Sequence, residues 1–230
     1  MKPLENVHLL GRERYSYPER NMDVLGNCAS RVGNLFLDTC ACTPTCELTD
    51  EQKGYIEKTL NKSKYRNWNP KECTRYVVEL LKEIDRNENI VTTRGVIQEI
   101  HIDRDLRIFR ELNNVFSELR DKLEKRVVNY NERLNSNFRE INVGLRCLKS
   151  FGLSPVDLRL LCSAVYMASR SDQPVGLLTN DGGLLNAITA YNDTIEGLSD
   201  RYFTQEVKKI HGYTFLSERS KMLVQQKFVA

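Results

Sequence analysis

The sequence is poor in the features that break up a fold or cross a membrane. It has six prolines in 230 residues, no low-complexity tract and no internal repeat, which argues against long disordered linkers and against a solenoid. No apolar stretch approaches the roughly 20 residues of a membrane-spanning helix. Residues 1–7 are mostly polar and the apolar run at residues 7–10 is short, so nothing there reads as a secretory signal. An excess of one charge is also missing: 34 Lys and Arg face 31 Asp and Glu, for a net charge of +3. A polyanionic partner therefore has to be met by a local patch. The seven cysteines are odd in number and form no pair of C-x2-C knuckles. Together these point to a cytoplasmic protein with reduced thiols and no membrane association.

What is present is ordinary for a globular chain. Hydrophobic residues make up 40% and charged residues 28%, and the length suits one large domain or a core with insertions. The first thirty residues are polar and mixed in charge, and residues 1–33 read as an N-terminal arm. The run at residues 34–38, apolar and ending in an acid, reads as a buried strand, residues 90–93 and 175–179 read as the second and third strands, and a further strand is expected at residues 213–216. Helical spacing follows Asp50, Pro70 and Gly95, and again Pro155 and Asp181. Ser154 and Pro155 carry a helix-start signature. Residues 104–150 hold a sustained three-to-four residue apolar repeat, expected as a long helix or helical hairpin with a break at the Asn-rich residues 129–137. The alternation of strands and helices predicts an α/β fold with a mostly parallel sheet covered by helices.

Chemistry is concentrated in the acids around the strand ends. Asp38 follows Leu35-Phe36-Leu37, and Asp181 follows Leu177-Leu178-Thr179-Asn180. Glu99 lies in the helix fed by the second strand, and Asp157 lies in the first turn of the helix that precedes the third. In an open parallel sheet, ligands bind beyond the carboxyl ends of the strands, so these four acids can share one cleft. Each alone has an ordinary explanation, as a helix cap, a helix-dipole acid or a solvated helix residue. As a group they raise one another's pKa, a cost that a hard divalent cation with oxygen ligands reverses.

In this order, Leu-Phe-Leu-Asp38, Val-Ile-Gln-Glu99-Ile, Ser-Pro-Val-Asp157 and Leu-Leu-Thr-Asn-Asp181 resemble the motifs of the PIN-domain nuclease family, over about residues 34–188. The resemblance implies a PIN-like three-layer α/β/α fold, with residues 104–150 as a long helical insertion. It implies an endoribonuclease dependent on Mg2+ or Mn2+, in which Asp38, Glu99, Asp157 and Asp181 hold the metal. A metal-activated water hydrolyses phosphodiester bonds of single-stranded RNA, leaving 5′-phosphate and 3′-hydroxyl ends. Thr179 matches the family's hydroxyl residue that supports the site. Some members carry another acid two positions after the last Asp; Gly183 stands there in this chain.

Other features carry weaker readings. Lys62, Lys64, Arg66, Trp68 and Lys71 mix cations with an aromatic face, suited to phosphates and stacked bases or to a solvated helix end. Cys40, Cys42 and Cys46 are expected as small buried residues rather than a zinc site, and His101 as a surface histidine. The apolar stripe within 104–150 suits core packing, a homodimer or an antitoxin-like protein partner. Two alternatives to the nuclease stand beside it. One is a non-catalytic PIN-like module that binds RNA or protein. The other is a phosphatase with an aspartyl nucleophile at Asp38, which wants an Asp where Cys40 stands.

Overall fold

The computed structural model describes residues 18–42, 70–100, 110–128, 151–202 and 209–213. In chain order the elements are α1 (Pro18–Ala29), β1 (Asn34–Leu37), α2 (Thr39–Cys42), α3 (Pro70–Arg86) and β2 (Ile90–Val91). They continue with α4 (Arg94–Glu99), α5 (Arg110–Glu124), α6 (Pro155–Arg170), β3 (Val175–Leu178), α7 (Gly182–Tyr202) and β4 (Ile210–Tyr213).

The described strands form one sheet in the order β2-β1-β3-β4, with every neighbouring pair parallel. β1 and β3 occupy the centre. Leu35, Phe36 and Leu37, and all of β3, are buried. That continuous apolar character is what parallel strands covered on both faces require. The connections from β1 to β2 and from β3 to β4 run in opposite directions across the sheet, which with the usual right hand of parallel crossovers places α3 and α7 on opposite faces. α3 carries α1 and α5 against it, and α6 lies on β1, β3 and β4. The result is a mixed α/β fold of three layers. A close approach tightens its centre: a Cβ on Gly176 would stand 2.7 Å from Tyr213 Cε2 and 3.0 Å from Leu35 Cδ1.

Three local expectations are corrected. The polar lead-in is helical from Pro18. Met22, Leu25, Cys28 and Ala29 share one face of α1 and are buried in the core, so a one-sided apolar stripe was hidden in a polar composition. The break expected at residues 129–137 lies outside the described residues, and the apolar repeat of residues 104–150 already leaves the helix at Glu124. There the Thr92 N–H donates to Arg126 O at 3.3 Å and the Val128 N–H to Thr92 O at 2.9 Å, so the chain leaves the helix to bridge the sheet edge at Val127. Leu112, Phe116, Leu119 and Leu123 are buried within the protein, with α5 lying on α3; this part of the stripe is core, not an exposed face for a partner. The last strand begins at Ile210, three residues earlier than expected.

The expected helix after Asp50 lies outside the described residues, as do residues 129–150. Among the described residues, no helix is long and apolar enough to cross a membrane.

Candidate functional site

The strand order reverses direction between β1 and β3. From β1 the chain crosses to one side, and from β3 to the other. Such a switch point opens a crevice beyond the carboxyl ends of the two strands, because their following segments leave in opposite directions. Asp38 directly follows β1, and Thr179, Asn180 and Asp181 directly follow β3. Asp38, Thr179 and Asp181, three of the residues that the motifs singled out, therefore follow directly on these two strand ends.

Asp38 is buried, only 3% exposed. Its Oδ1 accepts the Thr39 N–H at 2.6 Å. Its Oδ2 accepts the Thr179 hydroxyl at 2.6 Å and the Cys40 thiol at 2.8 Å. Burial pushes the Asp38 carboxyl above the usual carboxylate range. The charge of Asp157 adds to the rise, while the donors from Cys40, Thr179 and Thr39 oppose it. Desolvation dominates because a carboxylate loses hydration that a few donors replace only in part. The influence of Asp157 also means that the two acids, far apart in sequence, share one electrostatic environment.

The other three acids are set by helix ends. Asp157 occupies the third position of α6 in a reciprocal cap: its N–H donates to Ser154 Oγ at 3.1 Å, and its Oδ2 accepts the Ser154 N–H at 3.3 Å. Gly152, with φ of 62°, takes the left-handed conformation that delivers the chain into this cap. Asp181 caps α7, its Oδ1 accepting the Leu184 N–H at 2.8 Å. Its own N–H donates to Thr179 Oγ1 at 2.9 Å. A Cβ on Gly183 would stand 3.1 Å from that capping oxygen, so glycine here leaves Asp181 room. Glu99 is exposed at the end of α4, beside the buried Val96, Ile97 and Ile100. Its Oε2 accepts the Thr39 hydroxyl at 2.6 Å.

Among the described residues, no three His, Cys, Asp or Glu side chains are gathered as a ready-made set of metal ligands. The reason is visible in the hydrogen bonds: Glu99 is drawn to Thr39, and Asp181 and Asp157 are engaged with their own helix starts. Among the described residues, none of the four acids forms an ion pair with Lys or Arg.

Thr39 and Cys40 belong to this network, although neither was singled out as a site residue by sequence reasoning. The Cys40 thiol lies 3.3 Å from Thr179 Oγ1 and accepts the Asn180 N–H at 2.9 Å. Burial, reinforced by the charge of Asp38, holds the thiol well above its ordinary pKa, so Cys40 acts as a protonated donor and not as a nucleophile. Their only sequence signal is position, immediately after a strand-end acid. Cys42 is buried, as expected of a small core residue. Lys62, Lys64, Arg66 and Trp68 lie outside the described residues, as do Cys46 and His101, and Lys71 falls in the first turn of α3.

No protein-family model matches this chain, and comparison with curated proteins and with solved structures gives no match either.

Proposed function

We propose that this chain is a PIN-type endoribonuclease that uses Mg2+ or Mn2+ to hydrolyse phosphodiester bonds in single-stranded RNA. The observation that carries the reading is Asp38, a buried carboxylate at the switch point between β1 and β3. It is held from the neighbouring strand by Thr179 and sits within electrostatic range of Asp157. The acids stand in the order of the PIN motifs, and what supports reading them together is that Asp157 acts on Asp38 electrostatically while Thr39 and Thr179, which bond Asp38, also bond Glu99 and the Asp181 N–H. On this reading the fold is PIN-like, with residues 104–150 as an addition to it.

What suits a hard divalent cation is the oxygen chemistry of the four acids, which are not gathered beforehand as a set of ligands. All four acids offer oxygen, and a buried carboxyl whose pKa is raised by burial and by a neighbouring charge gains from a cation placed beside it. Asp38, Glu99, Asp157 and Asp181 would hold the ion. When bound, it supplies Lewis acidity, which lowers the pKa of water and offsets charge on the phosphoryl oxygens. The chain's own residues prepare the site. Thr179 fixes the Oδ2 edge of Asp38 and, through the Asp181 N–H, the approach to α7. Ser154 fixes the start of α6 beneath Asp157. Glu99 and Asp181 are exposed at their helix ends.

The test is cleavage of labelled single-stranded RNA with Mn2+ and with EDTA, by the wild-type protein and by Asp38→Asn and Asp181→Asn. The expected result is metal-dependent cleavage leaving 5′-phosphate ends, reduced about 100-fold or more in either variant, the scale of losing one electrostatic contact to a transition state. One observation favours a second reading, a non-catalytic module that binds RNA or protein: Glu99 and Asp181 are already engaged by Thr39 and by the start of α7. RNA or protein binding without cleavage, and without Mn2+ uptake by calorimetry, would put that reading first.

A further inference from the structure

We propose that the outer line of α6, formed by Arg159, Tyr166 and Arg170, is a binding track for single-stranded RNA. The proposal rests on the reading of the ligand as RNA, but it needs neither a bound metal nor cleavage.

α6 is 16 residues long, and Leu160, Leu161, Ala164, Val165 and Ala168 are its buried side, lying on β1, β3 and β4. At 3.6 residues per turn, Tyr166 and Arg170 each fall within about 20° of Arg159 around the helix axis. The three therefore stand on one line, which a rise of 1.5 Å per residue spreads over about 16 Å. Arg159 and Arg170 are exposed and Tyr166 is half-buried. The line starts near Asp38, because Asp157, whose charge reaches Asp38, stands in the first turn of the same helix.

The charge along this line is of one sign. Asp157 is the only acid in α6, and two residues before Arg159 it points to the other side of the helix. The next acid, Asp172, lies past the helix end. On other elements Lys82, Arg86, Lys122 and Lys209 each pair with an acid. Among the described residues neither Arg159 nor Arg170 has such a pair. An exposed guanidinium without a counter-charge attracts a polyanion and gives up no ion pair to bind it.

The aromatic member narrows the ligand. Arg170 Cζ stands 4.7 Å from the centroid of the Tyr166 ring, a cation–π contact that keeps the guanidinium beside the ring. Aromatic rings and guanidinium planes are the surfaces on which unpaired bases stack. An acidic peptide would use the two charges but has no flat group for the pair, and a duplex keeps its bases inside. A single strand uses both.

The experiment measures binding of a fluorescein-labelled single-stranded RNA to the full chain by anisotropy, in EDTA and over a range of KCl concentrations. The variants are Arg159→Gln, Arg170→Gln, the two together, Arg170→Lys and Tyr166→Leu, with Arg86→Gln as a charge control on α3. These surface positions leave the melting temperature of the arginine variants unchanged. Each Gln variant on α6 is expected to bind about three- to tenfold more weakly, and Arg159→Gln to lower the slope of log affinity against log salt by about 0.7, the share of one phosphate on a single strand. Arg170→Lys keeps that slope but loses affinity, because an ammonium is not planar. Tyr166→Leu weakens binding at an unchanged slope, and Arg86→Gln binds as wild type does. Wild-type affinity in the double variant, an equal loss in Arg86→Gln, or an equal loss when poly-L-glutamate replaces the RNA would each overturn the track. So would a wild-type protein that binds no RNA in EDTA. Cleavage by wild type with Mn2+ is scored separately: a protein that cleaves without the track keeps the nuclease reading, and one that binds along the track without cleaving loses it.

Discussion

Thr179 Oγ1 stands 2.6 Å from Asp38 Oδ2, although 141 residues separate the two. The hydroxyl donates to the carboxylate of one strand end and accepts the Asp181 N–H of the next turn. The bond thus joins β1 to the start of α7 across the crevice. Thr179 is fully buried, so both roles are played out of reach of water. Replacing it with Val keeps the shape and removes the donor and the acceptor together. Thr179→Val is expected to lose about 1–3 kcal/mol of stability, the cost of leaving buried polar partners unmatched. Thr179→Ser should lose much less. Urea titrations of the two variants check this, and equal midpoints for Val and wild type would refute it.

Asp38 makes a prediction of opposite sign. Its carboxyl pKa is raised in the folded protein, first by burial and then by the charge of Asp157. The native state therefore binds this proton more tightly than the unfolded chain does. Between the ordinary carboxylate pKa and the raised native one, stability falls as pH increases, and above that window the penalty is fully present. In metal-free buffer, Asp38→Asn is expected to melt higher than wild type at pH 7, because Asn carries no buried charge. The difference should shrink as pH is lowered through the window. Melting curves from pH 3 to 8 follow it directly. A lower melting temperature for Asp38→Asn at pH 7 would mean that the three donors to the carboxylate outweigh its burial.

Ser154 tests how the position of Asp157 is made. The reciprocal bonds between the two satisfy backbone donors at the start of α6. Ser154→Ala removes the side-chain half and is expected to cost about 1 kcal/mol. It should also speed amide exchange at Asp157. Ser154→Asp, another strong capping residue, should restore most of the loss. Unchanged exchange at Asp157 in Ser154→Ala would show that the helix start is held by packing instead.

The positions of Asp38, Asp157 and Asp181 in the fold were legible because each coincides with a strong local signal. Asp38 ends an unbroken apolar run, Asp157 stands behind Ser-Pro at a helix start, and Asp181 follows a second apolar run. A parallel sheet brings such ends together whatever lies between them. Thr39 and Cys40 were not legible as site residues, because their partners Glu99, Thr179 and Asn180 lie 60 to 140 positions away. No local spacing reports a contact of that kind. The end of α5 was misread for a different reason. Leu119, Leu123 and Val127 continue a four-residue step, and periodicity cannot register that Arg126 and Val128 have exchanged helical hydrogen bonds for bonds to Thr92. α1 was missed because its mixed charges outweigh its few core residues in composition, although Met22, Leu25 and Ala29 keep helical spacing.

The bridge at Val127 has one more consequence. β2 is only two residues long, and Val127 lies beside Thr92 at its end. An outer strand this brief, finished by another piece of the same chain, offers no long row of bare amides and carbonyls. Outer strands left bare are where sheets of separate molecules join and aggregate. On this side the molecule has closed its own border, and the segment that does so is the one whose sequence looked most like uninterrupted helix.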